Sequence, residues 1–253
     1  QDKYTITIDV DSKNNTATVY YTRNSYNYTI KHVEKGNEEN VLGIDSGSAN
    51  FEDVIDVKSR EFKGFTYDSQ DKDSIIIDTE NNTATVYYTR NSYDYTIKHV
   101  EKGNESNVLG TDTGSANYND IVEVKSKNFK GFTYDSQEKE TIVIDTENNI
   151  ATVYYTRNSY SYVIKHVEKG NEENVLGTDT GSANFEDVID VKSKEFKGFN
   201  YDSQDKETIV IDTEKNIAYV YYTRNKYSYT VEHYVETIDG KFELKDTDEI
   251  NDV

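Results

Sequence analysis

The chain has no cysteine, methionine, proline or tryptophan among its 253 residues, and only four histidines. Without cysteine it forms neither disulfide staples nor thiolate sites, which removes redox and zinc–thiolate chemistry together. No apolar run approaches the roughly 18 residues of a membrane span, so no membrane insertion of this stretch is expected. Basic residues are also scarce: 28 Lys and Arg stand against 48 Asp and Glu, a net charge of -20. A nucleic-acid partner needs a basic face whose binding releases counterions, and no basic stripe is visible. Such an acidic excess keeps an extended surface protein soluble and its copies apart. No signal peptide or anchor is recognisable, which says nothing about export.

What is present is repetition. Tyr26, Tyr93, Tyr160 and Tyr227 lie 67 residues apart without an insertion. Fixed-period self-similarity outranks local propensity as a guide to architecture. The expected division is residues 1–25 as the closing part of a repeat, whole repeats at 26–92, 93–159 and 160–226, and 227–253 as the opening part of another. The array is expected to continue beyond both ends. A 67-residue unit buries only about 60% of its unfolded surface, so help from neighbouring copies is expected. Lys, Asn, Asp, Glu, Ile and Tyr dominate the composition. Their codons are AT-rich, which fits an extracellular bacterial protein.

Alternation with period two marks the strands. In Tyr4 to Asp11, Tyr4, Ile6, Ile8 and Val10 alternate with polar residues, and Lys13 to Asn15 reads as a turn into Thr16 to Arg23. The spacing predicts a closing β-hairpin here and again at Ser74 to Arg90, Thr141 to Arg157 and Thr208 to Arg224. Each copy opens with a strand, clearest at Tyr93 to Glu101, where Tyr95, Ile97 and His99 share the core side. A turn at Lys102 to Asn107 leads to a second strand, Val108 to Thr113, ended by Gly114. Ser115 to Lys130 fits neither period, leaving a short helical turn or an irregular strand, and Gly131 to Asp135 resumes a strand. Near the C-terminus, Asp239-Gly240 between alternating apolar residues signals a hairpin. The fold class is thus mainly β, α+β at most.

The succession Tyr-Thr-Val-Glu-His-Tyr at Tyr229, a DG hairpin, Lys-x-Phe-x-Gly-Phe-Thr-Tyr-Asp as at Lys127 to Asp135, and Val-Tyr-Tyr-Thr-Arg-Asn resembles the mucin-binding-protein (MucBP-like) repeats of cell-wall-anchored proteins in Gram-positive bacteria. The resemblance spans the chain. It implies compact β-grasp, ubiquitin-like units, export to the cell wall, and a role as an adhesin or its stalk, with host mucin or glycans as partners.

Chemistry is sparse. His32, His99, His166 and His233 occur once per copy on the face shared with Tyr and Ile, where a satisfied core histidine is the simplest reading. Acidic turn groups such as Asp145 with Glu147 lack the spaced D-x-[DN]-x-[DN]-G pattern of a calcium loop, so no metal or other cofactor is expected. No glycine pattern builds a phosphate loop. No Ser or Thr has a base and oxyanion context, which excludes an enzyme on sequence grounds. The 23 tyrosines remain. In the adjacent pairs Tyr87-Tyr88, Tyr154-Tyr155 and Tyr221-Tyr222 one ring must lie on each face of the strand, making Tyr87, Tyr154 and Tyr221 the candidate ligand contacts.

Two functional readings follow. In the first the copies are a stalk carrying a binding domain away from the cell wall. In the second each copy holds mucin or glycan weakly and many copies add avidity. Links as short as Asn158-Ser159 predict an elongated rod, on the order of 100 Å for three copies if each closing strand runs into the next opening strand. The terminal half-repeats are expected either to complete one another head to tail between molecules or to pack on the adjacent whole copy.

Overall fold

A computed structural model describes residues 7, 8, 10, 11, 13 and 15–251. It divides into two compact units, Gln1–Lys98 with Thr111–Val124 and Glu138–Thr152, and His99–Gly110 with Lys125–Gln137 and Val153–Val253. The first whole copy lies in the first unit, the third in the second, and the boundary runs through the middle copy.

In the first copy the strands are β1 (Ser25–Glu34), β2 (Asn37–Asn50), β3 (Val54–Asp56), β4 (Phe65–Gln70), β5 (Ser74–Ile76) and β6 (Thr83–Arg90). They form a four-stranded sheet in the order β2-β1-β6-β4 beside a two-stranded β3-β5 pair. β1 is antiparallel to β2 and parallel to β6, and β6 is antiparallel to β4. The opening and closing strands are therefore central neighbours. The middle copy supplies β7 (Ser92–Glu101), β8 (Asn104–Asn117), β9 (Ile121–Glu123), β10 (Phe132–Gln137), β11 (Thr141–Val143) and β12 (Ile150–Arg157). Within the first unit β9 pairs with β11, and within the second β10 pairs with β12. The third copy holds β13 (Ser159–Glu168), β14 (Asn171–Asn184), β15 (Val188–Asp190), β16 (Phe199–Gln204), β17 (Thr208–Val210) and β18 (Ile217–Arg224), ordered β14-β13-β18-β16. A last hairpin joins β19 (Tyr229–Glu236) to β20 (Phe242–Ile250).

The protein is all-β, a tandem series of repeated sheet units, with no α-helix among the described residues. The β-grasp expectation thus meets a sheet with parallel central first and last strands and no helix across it. One face of each sheet is the core. Ala84, Val86 and Tyr88, alternating along β6, pack with Ile30, Val57, Ile75 and Ile77, and Phe62 and Phe65 close the edges. The third copy repeats this with Ala218, Val220, Tyr222, Ile164, Val191, Ile209 and Ile211. A fully buried side chain of this kind contributes about 1.5–3 kcal/mol relative to an exposed one.

Four expectations are corrected. The closing hairpin does not form: β5 pairs with β3, placing Val54 opposite Ile76, and β6 goes to β1 and β4. Asn82 explains the departure. Its Oδ1 accepts the Asp78 N–H (2.8 Å), its Nδ2 donates to the carbonyls of Asp78 (2.7 Å) and Asn27 (3.2 Å), and its own carbonyl accepts the Thr29 N–H. This side-chain loop ties the entry of β6 to β1, and Asn149 and Asn216 repeat it. The opening turn is tighter than read, only Lys102 and Gly103, because Gly103 takes φ +80 and β8 already starts at Asn104. Gly114 does not end that strand. It lies inside β8, where a Cβ would stand 2.6 Å from the Tyr95 hydroxyl. In the ambiguous middle β8 runs to Asn117 and β9 is the short strand Ile121–Glu123, while 118–120 and 124–130 are turn and irregular chain.

The fourth correction concerns the N-terminus. Tyr4, Thr5, Ile6 and Asp9 lie outside the described residues, but Thr16 to Arg23 is described and is not a strand. In the whole copies this sequence sits between an opening strand and a β4 equivalent, and no described segment provides either. The Asp239-Gly240 turn forms as read, with Gly240 at φ +74 and the Thr237 N–H on the Lys241 carbonyl at 2.7 Å.

Candidate functional site

The candidate tyrosines are where alternation puts them. Tyr87, Tyr154 and Tyr221 are half-buried on the outer face of their strands, while their neighbours Tyr88, Tyr155 and Tyr222 are fully buried. Each of the three belongs to a different copy. The third copy differs in one respect. Tyr219 replaces the Thr85 and Thr152 of the other copies, and its ring stacks on Tyr221 with centroids 6.3 Å apart and planes at 18°. Lys165 Nζ lies 5.9 Å from the Tyr219 centroid. The Tyr221 hydroxyl is held above its ordinary pKa, by desolvation first and then by Asp205 and Glu172.

Behind these rings lies a buried polar chain. Tyr88 Oη accepts the Arg60 N–H at 2.8 Å and lies 3.0 Å from His32 Nδ1, and His32 Nε2 lies 2.9 Å from Asp45 Oδ2. With one lone pair taken by Arg60, the Tyr88 hydroxyl donates to Nδ1, which leaves the Nε2 hydrogen to donate to Asp45. The same chain joins Lys194, Tyr222, His166 and Asp179 in the third copy, where Lys194 Nζ also holds Asp179. His99 and Tyr155 repeat its centre at 3.0 Å. Burial pushes the Tyr88 and Tyr222 hydroxyls up from their usual pKa. The arrangement ties opening strand, closing strand and the segment before β4 or β16 into one core, and the histidine acts as a structural bridge. His233 departs from the reading of four core histidines. It contacts Asp248 at 3.1 Å but is exposed, with no strand among the described residues covering it as Tyr222 covers His166.

Contacts between neighbouring copies carry the most specific geometry, and reading the sequence missed them. In the first unit Gly64 has φ +78, and a Cβ there would lie 2.1 Å from the ring of Tyr118. Tyr118 meets Phe65 and Tyr93 edge-on at 6.0 and 6.5 Å. Arg90 bridges Glu34 (2.8 Å) and Asp120 (3.0 Å), and Lys63 pairs with Asp145 at 2.7 Å. The second unit repeats all of this: Phe185 covers Gly131 and meets Phe132 at 6.0 Å, Arg157 joins Glu101 at 2.7 Å, and Lys130 pairs with Asp212 at 2.7 Å. The signal was an aromatic at one fixed place in each copy, Phe51, Tyr118 and Phe185. Nothing local distinguishes it from a core ring.

The carboxylates paired with Arg90, Arg157 and Arg224, the last of which lies at no joint, are acidified. Glu168, paired with Arg224 and hydrogen-bonded by Asn174, is lowered to about 2. Glu101 is lowered chiefly by Arg157, and Glu34 is lowered by Asn40 and Arg90 against the opposing effect of burial.

No protein-family model matches the chain, and no curated protein matches it. Among solved structures it is similar to Streptococcal High Identity Repeats in Tandem (SHIRT) domains 3-4 from a cell surface protein, at 12% identity and TM-score 0.22, spanning 52% of this chain and 98% of that one. It is similar to the type 2 repeat of the mucus binding protein MUB from Lactobacillus reuteri, at 11% identity and TM-score 0.25, spanning 79% and 99%. Two B repeat units of the collagen binding protein of Staphylococcus aureus follow at 10% identity and TM-score 0.16, spanning 91% and 89%. Likenesses this distant decide nothing about function.

Proposed function

We propose that this chain is the repetitive stalk region of a bacterial cell-surface adhesin, projecting a binding domain from the cell wall without catalysis of its own. One observation carries the reading: consecutive copies are joined by the same built contact, an aromatic ring seated on a left-handed glycine and flanked by two ion pairs. Specific joints of that kind suit a spacer, because they fix each copy against the next where a flexible linker would not. The 67-residue copies at 26–92, 93–159 and 160–226 are the units of this stalk, each of β-grasp kind, and the setting is extracellular. Small-angle scattering tests it. A maximum dimension on the order of 100 Å for three copies is expected, and a compact globule would overturn the reading.

A second reading is favoured by the stacked, half-exposed Tyr219 and Tyr221: a multivalent module holding host mucin or glycans. Three-copy chains on mucin and glycan arrays separate the two. Reproducible binding that is lost when Tyr87, Tyr154 and Tyr221 are changed to Ser supports the module, and no binding leaves the stalk.

A further inference from the structure

The outer face of the third copy's sheet differs from that of the first. Its middle strands β13 and β18 turn Ile164, His166, Ala218, Val220 and Tyr222 to the core. The alternate residues lie on the outer face, where the register pairs Val163 with Ile217, Lys165 with Tyr219 and Val167 with Tyr221. The first copy has Thr29 with Thr83, Lys31 with Thr85 and Val33 with Tyr87 at these places. The middle copy keeps Thr96 and Thr152 but has Ile150. Three threonines of the first copy are thus Val163, Ile217 and Tyr219 in the third, side by side on one face. The core does not require the change, since the first copy packs the same core residues beneath its threonines. Val163, Ile217, Tyr219 and Tyr221 all remain partly exposed, and a contiguous apolar patch of this kind marks an interaction surface. Charge on the face is laid out in one row. At the level of Tyr219, Lys165 stands on the β13 side, its Nζ 5.9 Å from the ring centroid. Asp205 stands on the β16 side, its Oδ1 accepting the Tyr219 N–H at 2.8 Å and its own N–H donating to the Tyr219 carbonyl at 3.0 Å. Cation, ring and carboxylate lie across the sheet in that order.

We propose that a second molecule of this chain packs its own third copy on this face, sheet on sheet, about a two-fold axis that runs between the sheets along β18. An axis in that direction exchanges the two sides of the sheet. Tyr219 then meets Tyr219 of the second molecule, and Lys165 of each molecule meets Asp205 of the other. An axis across the strands would instead set Lys165 against Lys165. An interface between identical faces must be self-complementary, and of the two axes only the one along β18 pairs the charges. Aligned sheets pack face to face in this way, about 10 Å apart and within about 30°, and Val163, Ile217 and Tyr221 supply the remaining apolar contact. Four strands about 4.8 Å apart and eight residues long, at about 3.3 Å each, present a face of about 500 Å². A standard interface takes about 800 Å² from each partner, so the dimer is weak and reversible, as suits association between neighbouring arrays. The pairing goes beyond both readings above, is compatible with either, and withdraws only the third copy's rings from a sugar.

Sedimentation equilibrium of the 253-residue chain is the test, in about 0.15 M salt, which screens its net negative charge beyond about 8 Å. The average mass should rise with concentration from the 29.1 kDa of one chain toward twice that value. Val163→Thr combined with Tyr219→Thr installs the residues with which the first copy folds, so it should leave the melting curve unchanged and keep the chain monomeric. Lys165→Glu and Asp205→Lys should each abolish association alone. Their equimolar mixture should restore it, because every pair across the mixed interface is again opposite in charge. Should Asp205→Lys melt early, Asp205→Asn keeps an acceptor for the Tyr219 N–H and should weaken the dimer through the lost charge alone. A parent chain that stays at one-chain mass up to about 1 mM, association that survives the double threonine variant, or folded charge variants whose mixture associates no more than they do alone would overturn the proposal. So would a monomeric chain that holds mucin glycans through Tyr219.

Discussion

Gly131 and Gly198 occupy the same place in consecutive copies, with φ +79 and +83, yet their surroundings differ. Gly131 lies under the ring of Phe185, 2.1 Å from where a Cβ would be, whereas no described atom lies within 4 Å of that point at Gly198. His166 and His233 differ in the same way, the first wholly buried against Tyr222, the second open to solvent. Near-identical local sequence therefore does not make a core or a joint. A copy needs its own closing strand, and a joint needs the ring of the next copy.

The sharpest test of the closing strand is truncation of its buried tyrosine. Tyr222→Ala should destabilise the third copy by about 3–5 kcal/mol, and hydrogen exchange should show protection lost there first. Tyr21→Ala, at the same repeat position but exposed, should leave the three whole copies unchanged. Equal effects would mean that the N-terminal segment is packed in solution.

At the joint, Gly131→Ala combines about 1–2 kcal/mol for a left-handed non-glycine with about 1–3 kcal/mol for displacing the Phe185 ring. Gly198→Ala should carry the first contribution alone. Urea denaturation of the two variants isolates what the ring contributes, and indistinguishable losses would show the joint to be slack.

Much of this was legible beforehand, for physical reasons. Period-two alternation placed Tyr95, Ile97 and His99 inward and chose Tyr87, Tyr154 and Tyr221 as the outer rings, because successive side chains in a strand must point to opposite faces. The closing hairpin was misread because adjacency in sequence suggested pairing, while Asn82 directs the chain to a partner some 50 residues earlier. Gly114 looked like a stop because its fit to the Tyr95 ring is tertiary. The joint was illegible for the same reason: Tyr118 and Gly64 are far apart in sequence, and only the fold brings ring and glycine together.

Smaller effects follow from ionisation. The Tyr88 and Tyr222 hydroxyls are raised by burial. Their contribution is fully present below the unfolded value of about 10 and lost as pH rises through the higher folded value. Melting temperature should fall above pH about 10. Tyr222→Phe should remove the third copy's share of that fall while costing about 1 kcal/mol at neutral pH through the lost Lys194 and His166 hydrogen bonds. The acid limb has the opposite sign. Glu168 falls from 4.5 to about 2 in the folded chain, so its contribution is present above 4.5 and lost as pH drops toward 2. Glu168→Gln should flatten that limb slightly, the least of these effects because Arg224 is exposed and its pair with Glu168 is screened by solvent.

The parallel placement of β1 beside β6 bears on how a copy carries tension. A load entering at Ser25 and leaving at Arg90 pulls these strands along their length in opposite directions. The inter-strand hydrogen bonds from Thr29 to Glu34 are then sheared together rather than opened one by one. The antiparallel pair β1 and β2, gripped at Ser25 and its partner Asn50, would unzip from one end. In single-molecule pulling, a copy held through residues 25 and 91 should resist a markedly higher force than one held through 25 and 50. Tension applied between the ends of the first or the third copy, whose opening and closing strands are parallel neighbours, enters by the stronger of these two directions.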